Sequence, residues 1–261
     1  MRIVLVGAGN LATNLGRTLK QSGENIIQLY SHTEKSASKL GTELNIPYTT
    51  NILDLSKDAE LYIVSLKDSV LQKFLPLLVE GREKALFVHT AGSVPLSIWN
   101  GIAQRGGVFY PMQTFSKNRN VDFRRIPCFI EACNKKDEKV LCGLAGKLSQ
   151  KVVVLDSEKR KYLHLAAVFA CNFTNHMYNI TAQILEHHGI PFNVMLSLID
   201  ETAAKVHELS PINAQTGPAV RYDEDVMNRQ IALLAENPEW QDLYKRISNN
   251  IHYDQLRIKK N

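Results

Sequence analysis

Gly7, Ala8, Gly9, Asn10, Leu11 and Ala12 spell G-x-G-x-x-A, a pattern whose chemistry is the binding of a diphosphate. Gly7 permits a tight turn, Gly9 lets the backbone come against a pyrophosphate, and Ala12 is small enough for close helix–strand packing. The free amides at the start of the following helix then face the phosphates. The pattern means this only between a strand and a helix. Residues 3–6 read as a strand and residues 11–21 as an amphipathic helix, so the context is met. A tight turn without a ligand is the plainer alternative.

The end of the next strand, residues 26–30, decides which dinucleotide is expected. NAD-binding units place an acid there for the ribose 2′-hydroxyl. This chain has Ser31, His32 and Thr33, followed by Lys35 and Lys39 one helical turn apart. Hydroxyl, imidazole and ammonium groups can donate to a 2′-phosphate that a carboxylate would repel. NADP is therefore the expected cofactor, held by Ser31, His32 and Lys35. No arginine lies in this stretch, so the clamp reads as a soft one; His32 and Lys35 also suit an exposed helix start.

Two further loops follow strands at residues 61–64 and 86–88, at the ends where cofactors lie in such sheets. The first carries Ser65 and Leu66, the second His89, Thr90, Ala91, Gly92 and Ser93. Gly92 allows close backbone approach, and Thr90 and Ser93 suit a ribose or a nicotinamide amide. His89 fits this role or that of a hydrogen-bonded structural histidine.

A long helical stretch from residue 158 to 188 is apolar around most of its circumference, yet His164, Asn172, Asn175 and Asn179 fall within a quarter of it. A buried polar stripe must be paired, with other helices or with a ligand. Hydride delivery to a carbonyl or imine needs a proton donor or polarising group nearby. His164 is the expected donor and Asn172 the substrate-orienting amide. Gln113, Asn175, Thr216 and Arg221 are expected to contact the substrate. Arg221 suits a bidentate grip on a carboxylate; the plainer alternatives are a surface pair with Asp223 or an Asp223 that caps the next helix. Gln113 lies in a segment that lines a cleft or makes an ordered corner.

The elements that must position these groups change character along the chain. Strands at residues 3–6, 26–30, 61–64, 86–88, 108–110, 128–132 and 152–155 alternate with helices at 11–21, 35–44, 70–79, 97–104 and 137–148. That alternation predicts an α/β, Rossmann-type, mostly parallel sheet covered on both faces. After Asp156 the pattern is helical only, with helices at 158–188, 192–209, 224–235 and 238–251 and a loop at 211–222. The expected division is a Rossmann-like NADP-binding domain over 1–156 and an all-α substrate and dimerisation domain over 157–261. The long helix needs burial on nearly all sides, which a second subunit would supply.

Composition sets the outer bounds. The 261 residues are 44% hydrophobic and 22% charged, enough for an ample core, and the net charge of +5 carries no block that suggests nucleic acid. The basic group Arg257, Lys259 and Lys260 reads as a solvated helix end. No apolar run has membrane-spanning length, and the N-terminal strand is too short for a signal sequence, so a cytoplasmic location is expected. Cys128, Cys133, Cys142 and Cys171 form no CxxC pair and no zinc-ligand spacing. Each reads as a small buried hydrophobe, and no metal is expected.

Taken together, GAGNLA, HTAGSVPL, YPMQTF, YLHLAAVFACN and TGPAVRYD resemble a group of NADP oxidoreductases with a Rossmann-like N-terminal domain and a helical C-terminal domain of unknown function. That group is related to pyrroline-5-carboxylate reductase, the deazaflavin-dependent NADP reductases and the 6-phosphogluconate dehydrogenase-like enzymes. The resemblance spans essentially the whole chain and implies a homodimer with its cleft between the domains. Two departures stand out: Tyr110 where the group has His, and Tyr222 where Gly commonly follows Arg. In the related dehydrogenases a Lys/Asn pair on the first long helix does the acid–base work; here His164 and Asn172 share the location but not the spacing. The expected function is transfer of hydride between NADPH and a small oxo- or imino-acid. A non-catalytic NADPH-binding regulator is the alternative.

Overall fold

The structure, a computed structural model, describes residues 1–258; Lys259 and Lys260 of the basic terminal group lie outside the described residues. One eight-stranded sheet is built from β1 (Arg2–Val6), β2 (Asn25–Tyr30), β3 (Tyr48–Thr49), β4 (Leu61–Val64), β5 (Leu86–His89), β6 (Gly106–Pro111), β7 (Cys128–Ala132) and β8 (Val152–Val154). Their order is β3-β2-β1-β4-β5-β6-β7-β8, parallel throughout except between β6 and β7. Chain connections diverge on either side of β1, which opens a crevice at the carboxyl ends of β1 and β4, where such sheets bind ligands.

The strands are apolar on both faces because both faces are covered. Ile3 and Leu5 join one core with Leu15 and Leu19 of α1 (Asn10–Gln21) and Leu40 of α2 (Glu34–Leu44). Val4 and Val6 join the other with Leu71 and Leu75 of α3 (Asp68–Val79) and with Trp99. α4 (Lys135–Leu148) adds Leu141 and Leu144 to the first core beside β6 and β7.

Past β8 come α5 (Ser157–Ala167), a π-helical turn (Val168–Phe173), α6 (Thr174–His187), α7 (Leu196–Glu208), the short turns α8 (Pro211–Ala214) and α9 (Pro218–Arg221), then α10 (Glu224–Ala232) and α11 (Pro238–Ile258). Gly189, at φ 67°, ends the long helix in the left-handed region that glycine tolerates. By contacts the chain forms two compact units, Met1–His176 and Met177–Asn261, so α5 and the π turn pack with the sheet.

Several expectations are corrected. The helix expected at 97–104 is only a 3₁₀ turn, Leu96–Trp99, because Gly101 takes φ 71° and Trp99 turns inward, its indole N–H donating to Gly107 O at 2.9 Å. The edge strand β3 is two residues long and offers no period to read. The 211–222 loop contains two single helical turns, each opened by a proline. Of the four cysteines Cys128 is buried and Cys142 half-buried, whereas Cys133 and Cys171 are exposed. Tyr162, Leu165, Phe169 and Phe173 are exposed in the single chain, on the helix whose cover was expected from a second subunit.

Candidate functional site

The G-x-G-x-x-A turn is held by backbone. Gly7 donates its N–H to Tyr30 O at 2.8 Å and takes φ 116°; a Cβ there would stand 2.4 Å from Ser65 O. Any side chain at this position would collide with the loop after β4. Around Gly9 the space a Cβ would fill is open to 4 Å. No side chain caps α1 and no acid lies in its first turn, so the amides that follow Gly9 are left for an anion. Asn10 is exposed and Ala12 buried, as a phosphate contact and a packing residue require. The open space at Gly9 and the uncapped helix start fit the diphosphate of a dinucleotide.

The loops after β4 and β5 meet beside this turn. Thr90 Oγ1 donates to Ser65 Oγ at 3.1 Å, and Leu66 lies 3.5 Å from the Cβ position of Gly7. His89 is fully buried, its ring 6.1 Å from that of Trp99, and its Nδ1 accepts the Ala91 N–H at 3.3 Å. Burial, reinforced by the Arg160 charge, pushes its pKa down to about 3. A neutral ring beneath the loop is therefore what His89 contributes.

Ser31 is buried at the end of β2, its N–H donating to Thr49 O at 3.2 Å, while His32 and Lys35 are exposed. Lys35 shares a cavity of about 230 Å³ with Ala8, Arg17, Ser36, Lys39, Glu43 and Lys117. Here the structure supplies the arginine absent from the strand end: Arg17 comes from α1, pairs with Glu43 and donates to Lys117 O at 3.0 Å. Four cations against one carboxylate make this cavity electropositive and contiguous with the nucleotide turn. The readable signal was Arg17 one turn after Thr13 on the helix opened by GAGN; Lys117 had none.

A second cavity, of about 320 Å³, lies at the end of β6 against α5. Tyr110, Gln113, His164, Cys171 and Asn172 are among its lining residues. His164 and Asn172 thus share a cavity, and Gln113 joins them. The 100° arithmetic does not carry through the π turn, whose wider winding changes the phase between residues before and after it. Asn175, on the first turn of α6, is exposed and does not line this cavity. Gly92 lets the parts converge: a Cβ there would lie 2.6 Å from His164 Nδ1 and 2.8 Å from Tyr110 Cζ. The close approach at Gly92 is thus made by side chains of the protein itself.

What fixes α5 in place lay outside the sequence reading. Arg160, one turn before His164 and 1% exposed, pairs with Glu131 of β7 and donates to Val94 O at 2.7 Å. Ser157 donates its N–H and Oγ–H to the same carboxylate at 3.0 and 2.7 Å, and accepts the Leu96 N–H at 2.8 Å. One carboxylate thus ties the positive start of the helix, a buried guanidinium and the loop after β5 together.

Thr216 and Arg221 belong to the second unit. Thr216 lines an apolar cavity of about 330 Å³ with Met177, Ile180, Trp240 and Tyr244. Arg221 ends α9 with its side chain exposed; Asp223 caps α10 instead of pairing with it, accepting the Val226 N–H at 3.3 Å.

Sheet order, glycine turn and basic cavity define a dinucleotide-binding fold. Comparison with known proteins gives the family. Residues 2–92 match the model "NADP oxidoreductase coenzyme F420-dependent", and residues 126–251 match a domain of unknown function, DUF2520. A crystal structure from Bacteroides fragilis, described as a candidate NADP oxidoreductase, is 55% identical, covers 97% of this chain and 98% of its own, and has a TM-score of 0.94. The chain belongs to this family of NADP oxidoreductases. An imine reductase from Myxococcus stipitatus, solved with NADP+, shares the fold at 14% identity, with coverage of 100% and 94% and a TM-score of 0.67. So does a 1-pyrroline-5-carboxylate reductase from Streptococcus pyogenes, at 13%, 97% and 98%, and 0.65. No curated protein matches the chain in sequence.

Proposed function

We propose that the protein is an NADPH-dependent reductase of a small oxo- or imino-acid, with its catalytic group at the Tyr110–His164 cavity. The observation that carries this reading is the meeting of His164, Asn172 and Gln113 in one cavity within the unit that carries the nucleotide turn. Gly7, Ala8, Gly9, Asn10, Leu11 and Ala12 hold the diphosphate. Ser31, His32 and Lys35 hold the 2′-phosphate, joined by Arg17 and Lys39. Ser65, Leu66, Thr90, Ala91 and Gly92 shape the nicotinamide side, with His89 beneath them. When bound, NADPH supplies a hydride. His164 polarises and protonates the reduced carbonyl or imine, and Asn172 orients it. For a substrate carboxylate, Gln113 and Asn172 offer amide donors in the first unit, and Arg221 is the residue of the second unit whose chemistry suits it.

The working form we propose is a homodimer. Leu165, Phe169 and Phe173 leave an apolar face uncovered in the single chain, with Phe169 and Phe173 ring centroids 4.9 Å apart. Four free cysteines fit a reducing, cytoplasmic compartment.

The test is a fluorescence titration with NADPH and NADH. NADPH should bind at least about tenfold more tightly, and the gap should shrink as salt screens the basic cavity. Equal affinity for the two would remove the 2′-phosphate reading.

A further inference from the structure

Tyr110 and His164 meet through a single hydrogen bond, Oη to Nδ1 at 3.1 Å, with the rings edge to face. We propose that Tyr110 is a positioning residue that sets the tautomer of His164: its phenolic hydrogen occupies Nδ1, so the imidazole's own hydrogen sits on Nε2. The proposal rests on the reading of His164 as the group that serves the substrate.

The assignment follows from counting hydrogens. A phenol has one to donate, and a neutral imidazole has one bare nitrogen to accept it. Tyr110 is 8% exposed, and Nδ1 is the one protein partner of its hydroxyl among the described residues. Were the ring hydrogen on Nδ1, it would donate to Oη, and the phenolic hydrogen would be left without a protein acceptor among the described residues. Burial also holds the Tyr110 hydroxyl above its ordinary pKa, against the opposing charge of Arg160, so the oxygen keeps its hydrogen at neutral pH.

Two features of the fold serve this contact. Gly92 leaves room for both rings, since a Cβ would press on both. The Glu131–Arg160–Ser157 network fixes α5 one turn before His164. The consequence is directional: with Nδ1 spoken for, Nε2–H is the group free to polarise a carbonyl or imine. A histidine with mixed tautomers would present a bare nitrogen part of the time, and a bare nitrogen cannot donate.

The experiment is nitrogen NMR on the full-length protein labelled with ¹⁵N-histidine, free and saturated with NADPH. His164 is assigned by the signals that vanish in His164→Gln. Neutral His164 should show Nδ1 as the bare nitrogen and Nε2 as the protonated one. In Tyr110→Phe, which keeps the ring but not the hydroxyl, the two signals should shift toward each other as the tautomers mix. Gly92→Ala, which parts the pair from the other side, should do the same. A single cooperative urea transition in each variant shows that its fold survives. Hydrogen on Nδ1 in the parent, or an unchanged pattern in Tyr110→Phe, overturns the proposal. The underlying reading fails separately: undiminished NADPH oxidation by His164→Ala, measured with 2-oxo acids and cyclic imines, would remove His164 from the reaction and leave the tautomer result standing.

Discussion

The turn after β1 and the helix that carries His164 are positioned by opposite means. At the turn, backbone does the placing: Gly7 bonds to Tyr30 O, lies against Ser65 O, and leaves bare amides at the start of α1. Along α5, side chains do it with partners remote in sequence: Arg160 of the helix reaches Glu131, and His164 meets Tyr110 in the space that Gly92 leaves. A site made of backbone repeats wherever the same short pattern folds. A site made of distant side chains can be rebuilt differently in each branch of a family.

The sharpest way to break the first region is Gly7→Val. The new Cβ would meet Ser65 O, and φ near 116° is a conformation a β-branched residue cannot adopt without strain. NADPH binding should fall by more than about 100-fold, equivalent to a loss of about 2.7 kcal/mol. Fluorescence titration measures it, and an affinity within tenfold of the parent would mean that the turn is not where the cofactor binds.

The matching break in the second region is Glu131→Ala. It leaves the Arg160 guanidinium, 1% exposed, with Val94 O and Ser157 but no carboxylate. An uncompensated buried charge costs about 3–5 kcal/mol, so unfolding by urea should report a loss of about 3 kcal/mol. NADPH affinity should change little, because the turn after β1 shares none of these contacts. A stability loss below about 1 kcal/mol would show that the network is dispensable.

This contrast also explains what the sequence discloses. The strands and the glycine turn are legible because continuous apolar runs and a local pattern dictate them: residues 3–6 fall within β1, and β7 spans 128–132 as expected. Arg17 was passed over because its spacing after Thr13 places it on a face of α1 but does not show that Lys35, Lys39 and Glu43 of α2 share its cavity. The His164–Asn172 pairing was legible as a stripe, but its geometry was not, since the chain enters a π turn after His164 that includes Asn172, and α-helical arithmetic fails there. Tyr110 was legible only as a departure from a pattern. Its bond to His164, 54 positions away, belongs to tertiary structure.

The smallest expected effect returns to the first region and tests whether its loops, too, depend on a buried side chain. His89 accepts the Ala91 N–H, and burial holds its pKa at about 3 against an ordinary value of 6.5. Below pH 6.5 the unfolded chain takes up a proton that the folded ring refuses, so stability should fall as pH drops from about 6.5 toward 3 and be insensitive to this group above that window. The slope is about 1.4 kcal/mol per pH unit for one group. His89→Asn keeps a small acceptor and removes the titration. Between pH 6.5 and pH 5 the parent should therefore lose about 2 kcal/mol more than the variant, read from urea midpoints at each pH. Equal losses would mean that the folded protein admits the proton. The loop after β5 would then be able to open to water, and the firm placement seen at the turn after β1 would not extend to it.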